Sequence, residues 1–138
     1  MPMRIANAGA RAMADVLAAL ANGGTLRLYS GSQPAEADAA PTGTLLASGA
    51  LPNPAFGAAT DGAPGGVATA AAIAAITASA PGTLGWFRVL SSGGATIWDG
   101  NIGLGASGAD MIVAGASLAV VAGSSITISS LTVTMPEA

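Results

Sequence analysis

The chain has 138 residues, no Cys, His or Lys, and a net charge of −3 from four arginines and seven carboxylates. Those absences exclude Ser-His-Asp and Cys-His nucleophile systems, Lys Schiff bases and zinc held by His or Cys. The negative balance is the wrong sign for tracking a phosphate backbone, so nucleic acid is not an expected partner.

Residues 7–22 read as a helix, with Met13, Val16, Leu17 and Leu20 at helical spacing and Asn22-Gly23-Gly24 as the stop. Asn7 is the expected N-cap. So short a helix with so narrow an apolar stripe is marginal alone in water, so it must dock on its own domain or on a neighbour. Residues 1–24 are therefore set apart as an N-terminal helix or arm, and 25–138 as the β domain. From Thr25 the pattern becomes strand and turn. "TLRLYS" (25–30) alternates Leu26 and Leu28 against Arg27 and Tyr29, "GSQPAEADAAPTG" (31–43) is a polar loop, and "TLLASGAL" (44–51) resumes a strand. "PNPAFGAATDGAPGG" (52–66) is too rich in Pro and Gly for much regular structure. "VATAAAIAAITASA" (67–80) is read as mostly strand, although its alanines favour helix.

Both tryptophans and one of the two phenylalanines fall in "GWFRVLSSGGATIWDG" (85–100). Ser91-Ser92-Gly93-Gly94 is a turn, so 84–90 and 95–101 should pair as a hairpin. With Leu90 opposite Ala95, Phe87 faces Trp98 and Val89 faces Thr96. Trp86, Arg88 and Leu90 then share the other side with Ile97 and Asp99, and Arg88 lies diagonally from Asp99 within reach of a charge pair. Each ring buries on the order of 150–250 Å². One face anchors the core; the second needs a cover from a second sheet, the helix or another subunit. Phe87 and Trp98 are expected in the core, and Trp86 is open between core and interface.

"SSITISSLTVTM" (124–135) alternates and then shifts phase at Ser129-Ser130, the mark of a β-bulge. With 109–114 and 116–122 this makes about eight short strands split by Gly-rich turns. The fold class is mainly β: a β-sandwich or jelly-roll-like domain with one short N-terminal helix.

Charged residues are only 8% of the chain, against roughly 25% in an ordinary soluble domain. Much of the 51% apolar content is Ala, whose lone methyl contributes about 0.8 kcal/mol on burial. A core this thin under so uncharged a surface is easier to understand if other subunits cover part of that surface. The longest apolar run, "MIVAGASLAVVAG" (111–123), is shorter than the roughly 20 residues of a spanning helix. Neither a signal peptide nor the aromatic girdles of a membrane barrel is recognised, so no membrane partner is expected and the protein reads as soluble and made in the cytoplasm.

Three motifs bear on chemistry. "GLGASG" (103–108) has dinucleotide-loop spacing, but a β-like segment follows it, and beyond Asp110 the next carboxylate is Glu137. Asp99, Asn101 and Asp110 lack the ligand spacing of a calcium loop. Glu36 and Asp38 pair two carboxylates in a small-residue loop with no sugar platform beside them. No catalytic residue, cofactor or metal is therefore assigned, and no enzyme is expected. The interface candidates are Met13, Val16, Leu17, Leu20 and Trp86.

The order of "LYSGSQP", "TGTLLA", "GWFR", "DG" and "SGAD" across residues 25–134 resembles a family of small virion structural proteins of tailed bacteriophages. The resemblance implies a β-sandwich of the head and tail module, in the role of a capsid decoration or cement protein. Its partners would be the major capsid protein and further copies of itself, as a trimer or dimer on the virion surface. It transfers no active-site residue; Trp86, Phe87 and Asp110 match as fold markers. A tail, tail-tip or fibre component is the alternative, and a carbohydrate-binding β-sandwich using Trp86 or Trp98 is a second.

Overall fold

Alternation in "TLRLYS" puts Leu26 and Leu28 on one side of a strand, where both are fully buried. The computed structural model describes residues 6–62, 65–105, 107, 109–115 and 117–135. Over these, α1 (Asn7–Leu20) precedes β1 (Thr25–Ser30), β2 (Leu45–Ala50), β3 (Thr60–Gly62), β4 (Gly65–Thr69), β5 (Ile76–Thr77) and β6 (Gly82–Leu90). Then follow β7 (Thr96–Leu104), β8 (Met111–Val113), β9 (Ala119–Val120), β10 (Ser125–Ile126) and β11 (Ile128–Met135). Nine strands form one ladder in the order β2-β1-β6-β7-β8-β11-β4-β3, with β9 beside β6, while β5 and β10 pair separately. All pairs are antiparallel except β7 with β8, where Ile102, Gly103 and Leu104 run parallel to Met111, Ile112 and Val113.

The two halves of the ladder share one core. Leu26, Leu28, Leu46, Phe87 and Val89 from β1, β2 and β6 pack in the same cluster as Ala68, Met111, Leu131 and Val133 from β4, β8 and β11. Ala18 and Ala21 of the helix region join them. The architecture is thus mainly β and sandwich-like, with a single short helix, as the strand pattern implies. A fully buried Leu or Phe contributes roughly 1.5–3 kcal/mol, so a few large side chains carry a core otherwise made of alanines.

The aromatic hairpin forms with a different register. Trp86 pairs with Asn101, Phe87 with Gly100, Arg88 with Asp99 and Val89 with Trp98, and a bulge separates Val89 from Leu90, which meets Thr96. Phe87 is therefore opposite Gly100 rather than Trp98, and Val89 opposite Trp98 rather than Thr96. The reason is room: a Cβ on Gly100 would overlap the Phe87 ring, so the glycine leaves the space that the ring fills. The shift also brings Arg88 directly across from Asp99, and the charge pair forms at 2.7 Å. On the far side of β6, Arg88 lies opposite Arg27 of β1. Like charges placed so are unfavourable, and Asp99 neutralises one of them.

Other boundaries differ locally. The helix cap is Ala6, with no side-chain hydrogen bond, so Asn7 is the first helical residue and not the N-cap. Residues 67–80 are strand only at β4 and β5, with one isolated bridge between them at Ala70 and another beyond β5 at Ala78, because a run of alanines supplies no alternating apolar face. The predicted bulge is present: pairing of β11 with β8 slips between Ile128 and Ser130. At the β2 end of the ladder, Ala47 bridges Ala78 and the Ser79 N–H donates to the Leu46 carbonyl at 2.7 Å, so that edge is covered. The opposite end is the three-residue β3.

Candidate functional site

The helix meets the sheet through its smallest residues. Ala10, Ala14, Ala18 and the capping Ala21 are buried, one per turn along a single face. They allow a very close approach: a Cβ built on Gly66 of β4 would stand 2.7 Å from the backbone N and Cα of Arg11. Where helix backbone rests on sheet backbone, no room is left for a Leu or Met between them. The large apolar residues are displaced outward, and Met13 is 37% exposed, Val16 65% and Leu20 50%. Of the stripe read from the sequence, Leu17 alone packs partly against the core. The helix docks on its own domain, yet not by the residues that its periodicity selects.

The other flank of the helix is tied down by polar side chains. Asp15 Oδ1 accepts the Ala59 N–H at 2.7 Å, and Asn22 Oδ1 accepts the Ala55 N–H at 2.8 Å, fixing the 52–59 segment. Ala12, Met13, Val16, Leu17 and Leu20 line an open apolar hollow. Leu17 also borders an adjoining groove with Trp98, Asp99, Asp110, Thr132, Val133 and Thr134. Hollow and groove have Leu17 in common. Trp98 is half-buried there and leans on Phe56, with ring centroids 5.7 Å apart and planes tilted by 58°. Asp110 is held by its backbone: its N–H donates to Asn101 Oδ1 at 2.9 Å and its carbonyl accepts from Thr132 at 3.0 Å. Its exposed carboxylate takes no hydrogen bond or ion pair among the described residues.

Trp86, the remaining interface candidate, does not reach the surface. It is 0% exposed, stacked on Tyr29 at 4.5 Å between centroids with Arg88 5.2 Å from its ring centre. The cover for this second hairpin face is the 31–43 loop, whose Ala39 carbonyl accepts from Arg88 Nη2 at 2.9 Å. The guanidinium also donates twice to Asp99, from Nε at 2.7 Å and Nη2 at 3.0 Å. That hydrogen bonding, opposed by burial, pushes the Arg88 pKa above the ordinary arginine value. An anionic quencher should therefore dim only Trp98. Stern–Volmer titration with iodide should show one accessible and one protected fluorophore, and Trp98→Phe should remove the accessible one.

The three motifs resolve into local structure. Asp99 is engaged by Arg88 and the Asn101 side chain by backbone, so neither is left to a cation. Among the described residues no group of three or more His, Cys, Asp or Glu side chains is placed to hold a metal. Glu36 and Asp38 are exposed in a turn closed by the Ala39 N–H on the Glu36 carbonyl. "GLGASG" finishes β7 and leads to β8, not to a helix; Ala106 and Gly108 lie outside the described residues, as do Arg4 and Glu137. No described helix is long and apolar enough to cross a membrane.

The sequence reading singled out Met13, Val16, Leu17 and Leu20 as interface candidates and did not place Trp98 and Asp110 in a groove with Leu17. Asp110 and Thr132 are joined only by β11 running beside β8, a long-range pairing with no local signal. Comparison with protein families, curated proteins and solved structures finds no match.

Proposed function

We propose that the chain is a virion structural protein that decorates the outer surface of a capsid shell and cements it. The observation that carries this reading is the outward placement of Met13, Val16 and Leu20, beside an inward face made of alanine. A free-standing monomer gains nothing from that arrangement. A subunit that rests on a shell buries the flank there, and the motif resemblance to tailed-phage virion proteins points to the same setting. Five apolar residues are far fewer than the ~20–30 per partner of a standard interface, so a single contact is weak. Copies grouped as trimers or dimers at the symmetry axes of a shell would gain retention by engaging several major capsid subunits at once. They reinforce the shell by tying those subunits together.

Removing the helix is a poor test, because Ala18 and Ala21 belong to the core. Val16→Asp and Leu20→Asp are better, since both side chains point outward. Stability should change by less than about 0.5 kcal/mol, while occupancy on purified shells should fall by about tenfold or more as a carboxylate is forced against an apolar partner. Unchanged occupancy in both variants overturns the proposal. Densitometry of purified virions gives a second check: a cement protein is present in large copy number, a tail-tip component in a handful.

A further inference from the structure

We infer that Arg27 is the seat of an anion-binding site, open to a carboxylate or phosphate group, on the outer face of β1 and β2. It does not depend on the capsid reading, because it arises from how charge is laid out across four neighbouring strands. The register sets Ser48 of β2, Arg27 of β1, Arg88 of β6 and Asp99 of β7 in one row across the sheet. Residues paired in this way point to the same face, with Cβ atoms about 4.5–5.5 Å apart. Asp99 answers Arg88 from one end of the row. At the other end, outside Arg27, stands a serine, which carries no charge.

Arg27 makes no hydrogen bond or ion pair among the described residues, and its Nε is buried without an acceptor. No acceptor nearby is idle. Both Asp99 carboxylate oxygens and the Ala39 carbonyl are taken by Arg88. Trp86, 0% exposed on the same face, leaves its Nε1 unmet as well. The buried atoms left over here are therefore both donors, and an unmet buried donor is costly. The missing partner is an acceptor, and next to two guanidiniums with one carboxylate between them a charged acceptor gains most. Glu36 and Asp38 of the 31–43 loop are exposed and form no ion pair with Arg27. Space is open on the β2 side, where Ser48 and Ala50 are small and exposed and Arg27 itself is half-buried. An anion lying over Ser48 can meet the outer nitrogens of Arg27, whose planar fork matches a carboxylate or a phosphate, and can accept from the serine hydroxyl.

The test titrates acetate and inorganic phosphate into the intact chain, at an ionic strength held constant with chloride, and follows the side-chain N–H resonances by NMR. The Arg27 Nε–H signal, assigned by its loss in Arg27→Gln, should move saturably in the millimolar range, and the Arg88 signal, held by Asp99, should move far less. The anion that saturates at the lower concentration identifies the group that the site takes. Ser48→Glu puts a carboxylate of the chain's own at the uncharged end of the row. It should raise the unfolding temperature and weaken both anions by about fivefold, whereas Ser48→Gln should change neither. An Arg27 signal that saturates with neither anion overturns the inference, as does a Ser48→Glu variant that binds them like the wild type. So does thermal stabilisation by the anions that persists in full in Arg27→Gln, since the anion would then be seated elsewhere.

Discussion

Replacing Arg88 with Ala should destabilise the fold by about 3–5 kcal/mol and lower Tm by roughly 10–20 °C. The pair it breaks is buried, with side-chain exposures of 4% for Arg88 and 2% for Asp99. Truncation strands the Asp99 carboxylate without its cation, and an uncompensated buried charge is the main source of the cost. It also releases the Ala39 carbonyl, so the 31–43 loop loses its fastening over Tyr29 and Trp86. The double variant Arg88→Met with Asp99→Leu should recover most of the loss, because no charge is then left inside. Chemical denaturation of the single and double variants decides it: a double variant as unstable as Arg88→Ala rules out the stranded charge as the cause. Acid and base titration of the wild type adds a sign. A group whose folded pKa is raised contributes stability that is complete below its unfolded value and lost only as pH climbs through the folded one. The Arg88 contribution is consequently complete at neutral pH, and on the alkaline side it is lost only in strong alkali.

The second large effect is expected at Gly66, where Val should cost about 3 kcal/mol, the upper end of overpacking. The smallest added side chain already meets the backbone of Arg11 and Ala10, at 2.7 and 2.8 Å, and helix backbone cannot swing aside as a side chain can. The helix must therefore lift, uncovering the side of the core that Ala18 and Ala21 close. Denaturant midpoints should fall for Gly66→Ala and further for Gly66→Val. A Gly66→Val protein as stable as wild type would mean that helix and sheet do not meet at this point.

That contact also explains what the amino-acid order revealed and what it concealed. β1 was legible to the residue because Leu26 and Leu28 alternate with Arg27 and Tyr29 between clear turns. The phase slip at Ser129-Ser130 was legible because a bulge leaves its trace within one strand. The hairpin register was not, since it depends on how a bulge after Val89 and the vacancy at Gly100 accommodate one ring. The orientation of the helix was hidden for a related reason. Periodicity weights large apolar side chains and pointed to Met13, Val16, Leu17 and Leu20, while the side that docks is written in alanine and set by a distant glycine. The same residues were expected at an interface, and Met13, Val16 and Leu20 are exposed because the core had no space for them. Trp86 misled in the opposite direction, as its cover comes from a polar loop whose closure needs the Arg88–Ala39 hydrogen bond.

The ends of the ladder carry a consequence for assembly. With Ala78 and Ser79 laid along β2 and only a three-residue β3 at the opposite margin, there is little free amide and carbonyl edge for a foreign strand to extend. Joining by strand exchange would weld two proteins together at first touch. Contacts made through side chains alone can be broken and remade without unravelling either fold.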